Sequence, residues 1–382
     1  MGARFESAQA AAGMVALFAS LVGCRPTAAA RDADQLEDAP TEPPRRSAEA
    51  QRLLQRLEKL SSDDAFALGH QDATAYGVDW KWDEDRSDVA SICGSHPGVL
   101  GFDLGRKGET NLDGVPFDLM RRRIEEGHAR GSIITVSWHL GNPVSGGDAW
   151  DTKTAVRHLL PGGSHHQVFR AELARAAAFL NGCRTREGAK VPVVFRPLHE
   201  HNGSWFWWGA DHASSAEYVR LFRFIVEYLR DEAQAEQLLF AISPSGSKIA
   251  EGADVLYRYP GDWYVDVIGF DHYFGNDGRD FARIAELVVD VALSRKKIPA
   301  VTEFGLLGSY GEPSVDPAGW LSGQFLQPLA ASDKARRIAY ALAWRNEGWK
   351  HFFLPSPASP WAAELRGVCE SPFVLLQNDL AR

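Results

Sequence analysis

Short apolar runs alternate with longer amphipathic stretches along most of the chain. The runs are continuous in Val, Ile, Leu, Phe and Ala, which is typical of strands that are buried on both faces. The predicted strands cover residues 66–69, 99–104, 133–138, 193–198, 238–243, 265–270, 300–304 and 338–344. Predicted helices cover residues 48–60, 117–130, 168–182, 216–232 and 280–295, the first with Leu53, Leu57 and Leu60 at helical spacing.

This alternation predicts an α/β fold with a parallel sheet. Eight strand units in roughly 330 residues favour a (β/α)8 TIM barrel, so we expect residues 48–382 to form a single catalytic domain. A doubly wound open sheet is the alternative. No Gly-x-Gly-x-x-Gly follows the first strand, so dinucleotide binding lacks support.

The first 47 residues differ in character from this alternating pattern. Residues 1–23 are small and apolar with only two charges, which indicates a signal peptide rather than a membrane span. Their end, Leu21-Val22-Gly23 followed by Cys24, resembles the lipobox of bacterial lipoproteins. The resemblance implies cleavage before Cys24, lipidation of Cys24 and a cell-envelope lipoprotein, facing the periplasm or the outside. Cleavage near residues 28–30 and secretion is the alternative, and residues 24–47 are expected to be a flexible tether.

The amino-acid composition argues against some classes of function and structure. The net charge of -9 argues against a nucleic-acid partner, which requires clustered Lys and Arg. Hydrophobic residues at 45% exclude a disordered chain. The 12 Trp are unusual, because Trp packs cores but also provides flat platforms for ligands.

Three cysteines follow Cys24, namely Cys93, Cys183 and Cys369. They allow at most one intramolecular disulfide, and their spacing fits no zinc site. Three buried thiols are the favoured interpretation. No metal is expected.

Polar and acidic residues follow several predicted strands, where a barrel places its active site. Glu200 and Glu303 each come just after an apolar run, on the fourth and seventh strands. Hydrolysis of a glycosidic bond requires two such carboxyl groups, one as acid and one as nucleophile or base. A structural ion pair with a nearby Arg is the alternative for either glutamate alone.

Residues 195–209 carry a resemblance to a known family. They read Phe-Arg-Pro-Leu-His-Glu-His-Asn-Gly-Ser-Trp-Phe-Trp-Trp-Gly, which looks like the acid motif of glycoside hydrolase family 26, largely β-mannanases. Residues 69–71, 137–139, 259–262, 269–273, 301–305 and 343–346 also resemble that family. The resemblance implies a monomeric, cofactor-free, retaining endo-β-1,4-mannanase, with Glu200 as acid/base and Glu303 as nucleophile. Its substrate would be mannan, glucomannan or galactomannan.

The resemblance also implies roles for residues around the two glutamates. His199 would contact the sugar in subsite −1, and His139 would lie near the acid/base. Tyr273 would hydrogen-bond the nucleophile. Trp205 would line subsite +1. Trp344 would form the floor of subsite −1, and Arg345 would contact the −2 sugar.

Three alternatives stay open. An exo-acting mannobiohydrolase of the same family would need a loop, at residues 105–116 or 141–164, that blocks the distal subsites. A lichenase or xylanase of the family and a non-catalytic carbohydrate-binding lipoprotein are the others. Among the remaining tryptophans, Trp207 and Trp208 are expected to pack in the core. Trp80, Trp82 and Trp150 are left open between ligand contact and packing.

Overall fold

The computed structural model describes residues 42–275, 281–312, 316–348 and 351–381. The predicted signal peptide, Cys24 and most of the predicted tether therefore lie outside the described residues. None of the helices in the described ranges combines the length and the apolar composition that a membrane crossing requires.

Eight parallel strands form a closed barrel. They are β1 (Phe66–Gln71), β2 (Val99–Asp103), β3 (Ile133–Trp138), β4 (Val193–Pro197), β5 (Leu238–Ile242), β6 (Val267–Phe274), β7 (Ile298–Leu306) and β8 (Tyr340–Ala343). Each strand pairs with its neighbours in chain order, and β8 pairs with β1 to close the barrel. The prediction of a (β/α)8 barrel is confirmed, and all eight predicted strands are present.

One helix precedes β1, and the others follow strands of the barrel. The helices are α1 (Ala48–Ser62), α2 (Asp88–Cys93), α3 (Phe117–Ala129), α4 (Val156–Leu159), α5 (His166–Gly182), α6 (Ser215–Glu227), α7 (Gly252–Val255), α8 (Phe281–Ser294), α9 (Gln327–Ala331), α10 (Ala362–Cys369) and α11 (Gln377–Leu380). The five predicted helices are confirmed, although the fourth continues beyond α6 as a π-helix over Tyr228–Glu232.

Helix α1 packs against the amino-terminal end of the barrel. Its buried Leu53 and Leu57 belong to the same apolar cluster as Ala67 of β1, Val99 of β2 and Ile133 of β3, which lie at or near the beginnings of these strands. The hydroxyl of Ser47 caps the helix by accepting from the backbone N–H of Ala50. Since this end is covered, the mouth that remains lies at the carboxyl ends of the strands.

Residues just before α1 also contact the barrel. The indole of Trp263 donates to the carbonyl of Glu42 at 2.7 Å, and Arg46 pairs with the buried Asp266. The backbone N–H of Ser47 donates to the carbonyl of Glu236 at 2.9 Å. The predicted boundaries after residues 23 and 47 stay predictions.

The expectation of three buried thiols is wrong. Cys93 at the end of α2 and Cys369 at the end of α10 form a disulfide with their Cα atoms 6.1 Å apart, and Cys183 is a buried free thiol. The two half-cystines are 276 residues apart in the chain. Their spacing along the sequence gave no sign of pairing, because α10 reaches α2 only when the barrel closes.

We expect the Cys93→Ala/Cys369→Ala double variant to be less stable than the wild type by about 2–5 kcal/mol. The disulfide restricts the unfolded chain over a long loop, and its loss releases that restriction. Urea unfolding of both proteins measures the difference. Dithiothreitol should lower the stability of the wild type to that of the variant and leave the variant unchanged; an equal response of both proteins would contradict the pairing.

Candidate active site

Glu303 lies near the carboxyl end of β7, where the pairing with β6 shifts by one residue. Phe270 is paired with Val301 but Asp271 with Glu303, so Thr302 is the additional residue of a β-bulge. Such bulges change the direction in which a side chain points. The carboxylate of Glu303 accepts from the Arg196 guanidinium at 2.5 Å and from the Tyr273 hydroxyl at 2.6 Å.

Arg196, on β4, connects Glu303 to a second carboxylate. Its other terminal nitrogen donates to Asp271 at 2.6 Å, and Asp271 also accepts from the hydroxyl of Thr302 at 2.7 Å. Burial disfavours a charged guanidinium, but Asp271 and Glu303 outweigh that effect and raise the pKa of Arg196. The cation and its two carboxylates are all buried, so each depends on the others for charge balance.

Glu200 follows β4 in a backbone conformation that is unusual for these residue types. Leu198 and Glu200 both have positive φ, at 49° and 50°. The backbone N–H of Glu200 donates to the carbonyl of Ser243 at 2.7 Å. The Trp205 indole donates to the Glu200 carboxyl at 2.7 Å, and a Cβ on Gly203 would lie only 2.3 Å from that indole. Glycine at 203 therefore lets the Trp205 ring fold back over the turn to reach Glu200.

The electrostatic surroundings of Glu200 favour its protonated form. Burial raises the pKa of the Glu200 carboxyl well above its ordinary range, and the negative charges of Asp271 and Glu303 raise it further. The bond from Trp205 lowers this pKa but does not offset the other effects. The site therefore combines one carboxyl group bound by a cation and a phenol with a second carboxyl group whose protonated form is favoured.

Two buried histidines lie beside these carboxyl groups. His139 contacts Asp103 with Nδ1 at 2.8 Å and His199 with Nε2 at 3.1 Å. Burial lowers the pKa of His139, but the Asp103 carboxylate outweighs it and the net shift is upward. For His199, burial and the charge of Arg196 lower the pKa well below its usual value. These shifts favour the protonated form of His139 over that of His199.

Trp344 and Arg345 follow β8 at the same end of the barrel. The Trp344 ring lies 5.7 Å from the ring of His139, and the side chain of Trp344 is half-buried. Arg345 pairs with Asp113 at 3.0 Å and also with Glu347. Both carboxylates raise the pKa of Arg345 against the effect of burial, so this side chain is a fixed cation at the rim.

The structure brings the sequence-predicted residues into one site at the barrel mouth. Hydrogen bonds connect Trp205 to Glu200 and Tyr273 to Glu303, and the two glutamates interact electrostatically. A contiguous cluster of rings is formed by His139, His199 and Trp344. In the described contacts, Arg345 forms no direct bond with any of these side chains. It pairs with Asp113, and Asp113 interacts electrostatically with His139.

The other tryptophans divide between core and surface. Trp207 and Trp208 are fully buried and donate to the carbonyls of Leu140 and His199, which confirms that they pack in the core. Trp80 is also buried, and its indole donates to Asp88 at 2.8 Å. Trp150 is 43% exposed and stacks on His139, and Trp82 is 38% exposed. Those two remain available to a ligand.

The sequence interpretation assigned no role to Arg196 or Asp271, although both are central to the charge network. The signal that could have indicated Arg196 was the presence of a charged residue inside the apolar run of β4. Asp103, at the end of β2, supports the site by fixing His139. Within the described residues, no group of three or more His, Cys, Asp or Glu side chains is arranged to hold a metal ion.

The sequence and the fold are both similar to those of one known family. The sequence profile of Glycosyl hydrolase family 26 matches residues 43–314. Among solved structures, a family 26 β-mannanase from Bacteroides ovatus is similar with a TM-score of 0.80 and 36% identity, over 88% of this chain and 98% of that chain. An endo-β-1,4-mannanase from Cellulomonas fimi is similar with a TM-score of 0.81 and 34% identity, over 87% of this chain and 76% of that chain.

Curated relatives are similar over most of this chain but are often longer proteins. A mannan endo-1,4-β-mannosidase of Bifidobacterium adolescentis is 35% identical over 79% of this chain. The matched region is 31% of that protein's length, so this chain corresponds to about a third of it. A mannan endo-1,4-β-mannosidase of Bacillus subtilis is 31% identical over 69% of this chain and 70% of its own length.

We expect Trp205→Phe to raise the pKa of Glu200 further. The indole N–H stabilises the carboxylate, so its removal makes deprotonation less favourable. A ¹³C NMR titration of glutamate-labelled protein, assigned with Glu200→Gln, measures the change.

Trp150→Phe is the matched control, because Trp150 stacks on His139 and not on Glu200. It should leave the Glu200 titration where it is. A Trp205→Phe variant whose Glu200 titrates at the wild-type pH or below it would contradict the assigned hydrogen bond.

Proposed function

The chain belongs to glycosyl hydrolase family 26, and on that premise we propose that it is a retaining endo-β-1,4-mannanase. Its substrates would be mannan, glucomannan or galactomannan, cleaved at internal β-1,4-mannosidic bonds. The observation that carries the proposal is the electrostatic contrast between the two glutamates at the barrel mouth. Burial and nearby carboxylates raise the pKa of Glu200 and so favour its protonated form, whereas Arg196 and Tyr273 donate to Glu303.

In this proposal Glu303 is the nucleophile and Glu200 the acid/base. A Glu303 oxygen attacks the anomeric carbon while Glu200 transfers its proton to the leaving oxygen, which gives a covalent glycosyl-enzyme. Ester formation removes the negative charge of Glu303, which is one cause of the raised Glu200 pKa. Glu200 then accepts a proton from water, and that water attacks the anomeric carbon and releases Glu303. The chemistry needs no metal or organic cofactor.

The surrounding side chains would bind the sugar. The half-buried Trp344 ring offers a face on which the C–H groups of the −1 sugar can stack. His199 provides its buried Nδ1 for a hydroxyl group of this sugar, and His139 orients His199 through the contact between their Nε2 atoms. Arg345, held between Asp113 and Glu347, is oriented to donate to the −2 sugar, and Trp205 would line subsite +1.

An exo-acting mannobiohydrolase is the second candidate, and one structural observation favours it. Residues 105–116 include a short hairpin, Arg106–Lys107 with Thr110–Asn111, and Asp113 of this loop pairs with Arg345. This loop therefore lies beside the proposed −2 side of the site, where a barrier would enforce exo action. The printed names of the relatives favour the endo mode. A lichenase, a xylanase and a non-catalytic carbohydrate-binding protein rank below both.

We also propose that the protein is exported and anchored by a lipid on Cys24. The Cys93–Cys369 disulfide supports export, because such bonds persist mainly in oxidising compartments. An acylated Cys24 would hold the barrel at the membrane of the cell envelope. The barrel would act there as a monomer.

The test of the activity is a product time course on manno-oligosaccharides of defined length. An endo enzyme releases a mixture of oligomers from the start, whereas mannobiose alone would indicate the exo candidate. ¹H NMR of the first product should show the β-anomer, as expected for retention. A first product with the α-anomer would overturn the double displacement.

Glu200→Ala and Glu303→Ala test the site in the same assay. We expect each to lower kcat on mannan by at least about 10³-fold, because each removes a group that forms or breaks a bond. With an activated aryl mannoside, azide should restore turnover to Glu200→Ala by replacing the base-assisted water. Near-normal hydrolysis of mannan by either variant would contradict the assignment.

Lipidation is tested by expressing the full chain and Cys24→Ala with a radioactive fatty acid in a Gram-negative host. The full chain should carry the label and fractionate with membranes, and Cys24→Ala should lose both properties. A full chain that is exported without label, in the soluble fraction, would favour the secreted alternative.

A further inference from the structure

Arg258 is a buried cation whose described hydrogen bonds all go to backbone carbonyls. It follows α7 with a positive φ of 57° and is 6% exposed. One terminal nitrogen donates to the carbonyls of His201 and Trp208, each at 3.2 Å. The other donates to Ala210 at 3.2 Å and to Ala213. A single guanidinium thus donates to four backbone carbonyls of one loop.

That loop, residues 198–213, carries the proposed acid/base. It lies between β4 and α6 and contains both Glu200 and the Trp205 that bonds to it. Since it is neither strand nor helix, its carbonyls need hydrogen-bond donors from elsewhere. The left-handed conformations of Leu198 and Glu200 also need support from their surroundings.

An aromatic layer fixes Arg258 in place. Its guanidinium lies 5.4 Å from the ring centre of Tyr218 and 5.2 Å from that of Tyr257. The ring of His201 packs against the same two tyrosines, at 4.7 Å and 6.2 Å. The hydroxyl of Tyr218 donates to the carbonyl of Leu198 at 3.1 Å, so the layer holds the start of the loop as well.

We propose that Arg258 is a positioning residue that sets the orientation of Glu200 toward the leaving oxygen. The inference rests on the proposed role of Glu200 as general acid. Arg258 is remote from the sugar: it acts by holding the carbonyls on either side of Trp205, and the Trp205 indole in turn orients the Glu200 carboxyl. Loss of Arg258 therefore weakens proton donation more than it weakens sugar binding.

The test compares two substrates that differ in their need for the acid. Mannotetraose requires a proton on its leaving oxygen, whereas 2,4-dinitrophenyl β-mannobioside releases a stable anion without one. We expect Arg258→Met to lower kcat/KM on mannotetraose by about 10- to 100-fold, mostly in kcat. The dinitrophenyl substrate should lose less than about threefold. Arg258→Lys, which keeps the charge but not the planar fork, should fall between the wild type and Arg258→Met.

Arg230→Met is the matched control. Arg230 is 2% exposed, and its guanidinium packs on Phe240 and Trp263 rather than on the loop. We expect it to lower the unfolding temperature without changing the ratio of kcat/KM between the two substrates. If Arg258→Met does not fold, Arg258→Lys carries the same comparison.

The outcomes separate the inference from its premise. An equal loss of kcat/KM on both substrates in the Arg258 variants, as in a partly unfolded enzyme, would overturn the positioning role. Glu200→Ala, assayed in parallel, should lose kcat/KM on mannotetraose and keep it on the dinitrophenyl substrate. If Glu200→Ala keeps its kcat/KM on mannotetraose, the acid assignment itself fails, whatever the Arg258 variants do.

Discussion

The site depends on one buried ion cluster, in which the Arg196 guanidinium donates to both Asp271 and Glu303. Leaving a buried carboxylate without a partner is costly, so the three charges are stable only together. They come from three different strands, β4, β6 and β7. The cluster therefore connects the position of Glu303 to the closure of the barrel and to the bulge that aligns Glu303 with Asp271.

The same negative charges act in the opposite sense on Glu200. Burial disfavours a carboxylate at Glu200 and the charges of Asp271 and Glu303 repel it, so the cluster that binds Glu303 also favours the protonated form of Glu200, as the proposed nucleophile and acid roles require. The two roles need different supports. Glu303 is on a strand of the barrel, whereas Glu200 begins a loop that relies on Trp205 and, as we propose, on Arg258.

Much of the site could be predicted from the sequence because strand ends meet at one rim in a (β/α)8 barrel. Glu200 and Glu303 follow apolar runs, and residues 195–209 are rich in rare residue types, so both were visible without coordinates. Arg196 and Asp271 were not assigned, because a charge inside a buried strand has meaning only once its partner is known. The disulfide was missed for the same reason, since Cys93 and Cys369 meet only through the closed barrel.

The sequence by itself determined the barrel, the order of its strands and the two glutamates, because alternating apolar runs and helices are local patterns of the chain. Tertiary structure alone decided between core and surface for the tryptophans that the sequence left open, since Trp80 is buried while Trp82 and Trp150 are exposed. It also decided the protonation of Glu200 and the partners of Arg258. Those properties arise from desolvation and from charges on distant segments, and neither is encoded by neighbours along the chain.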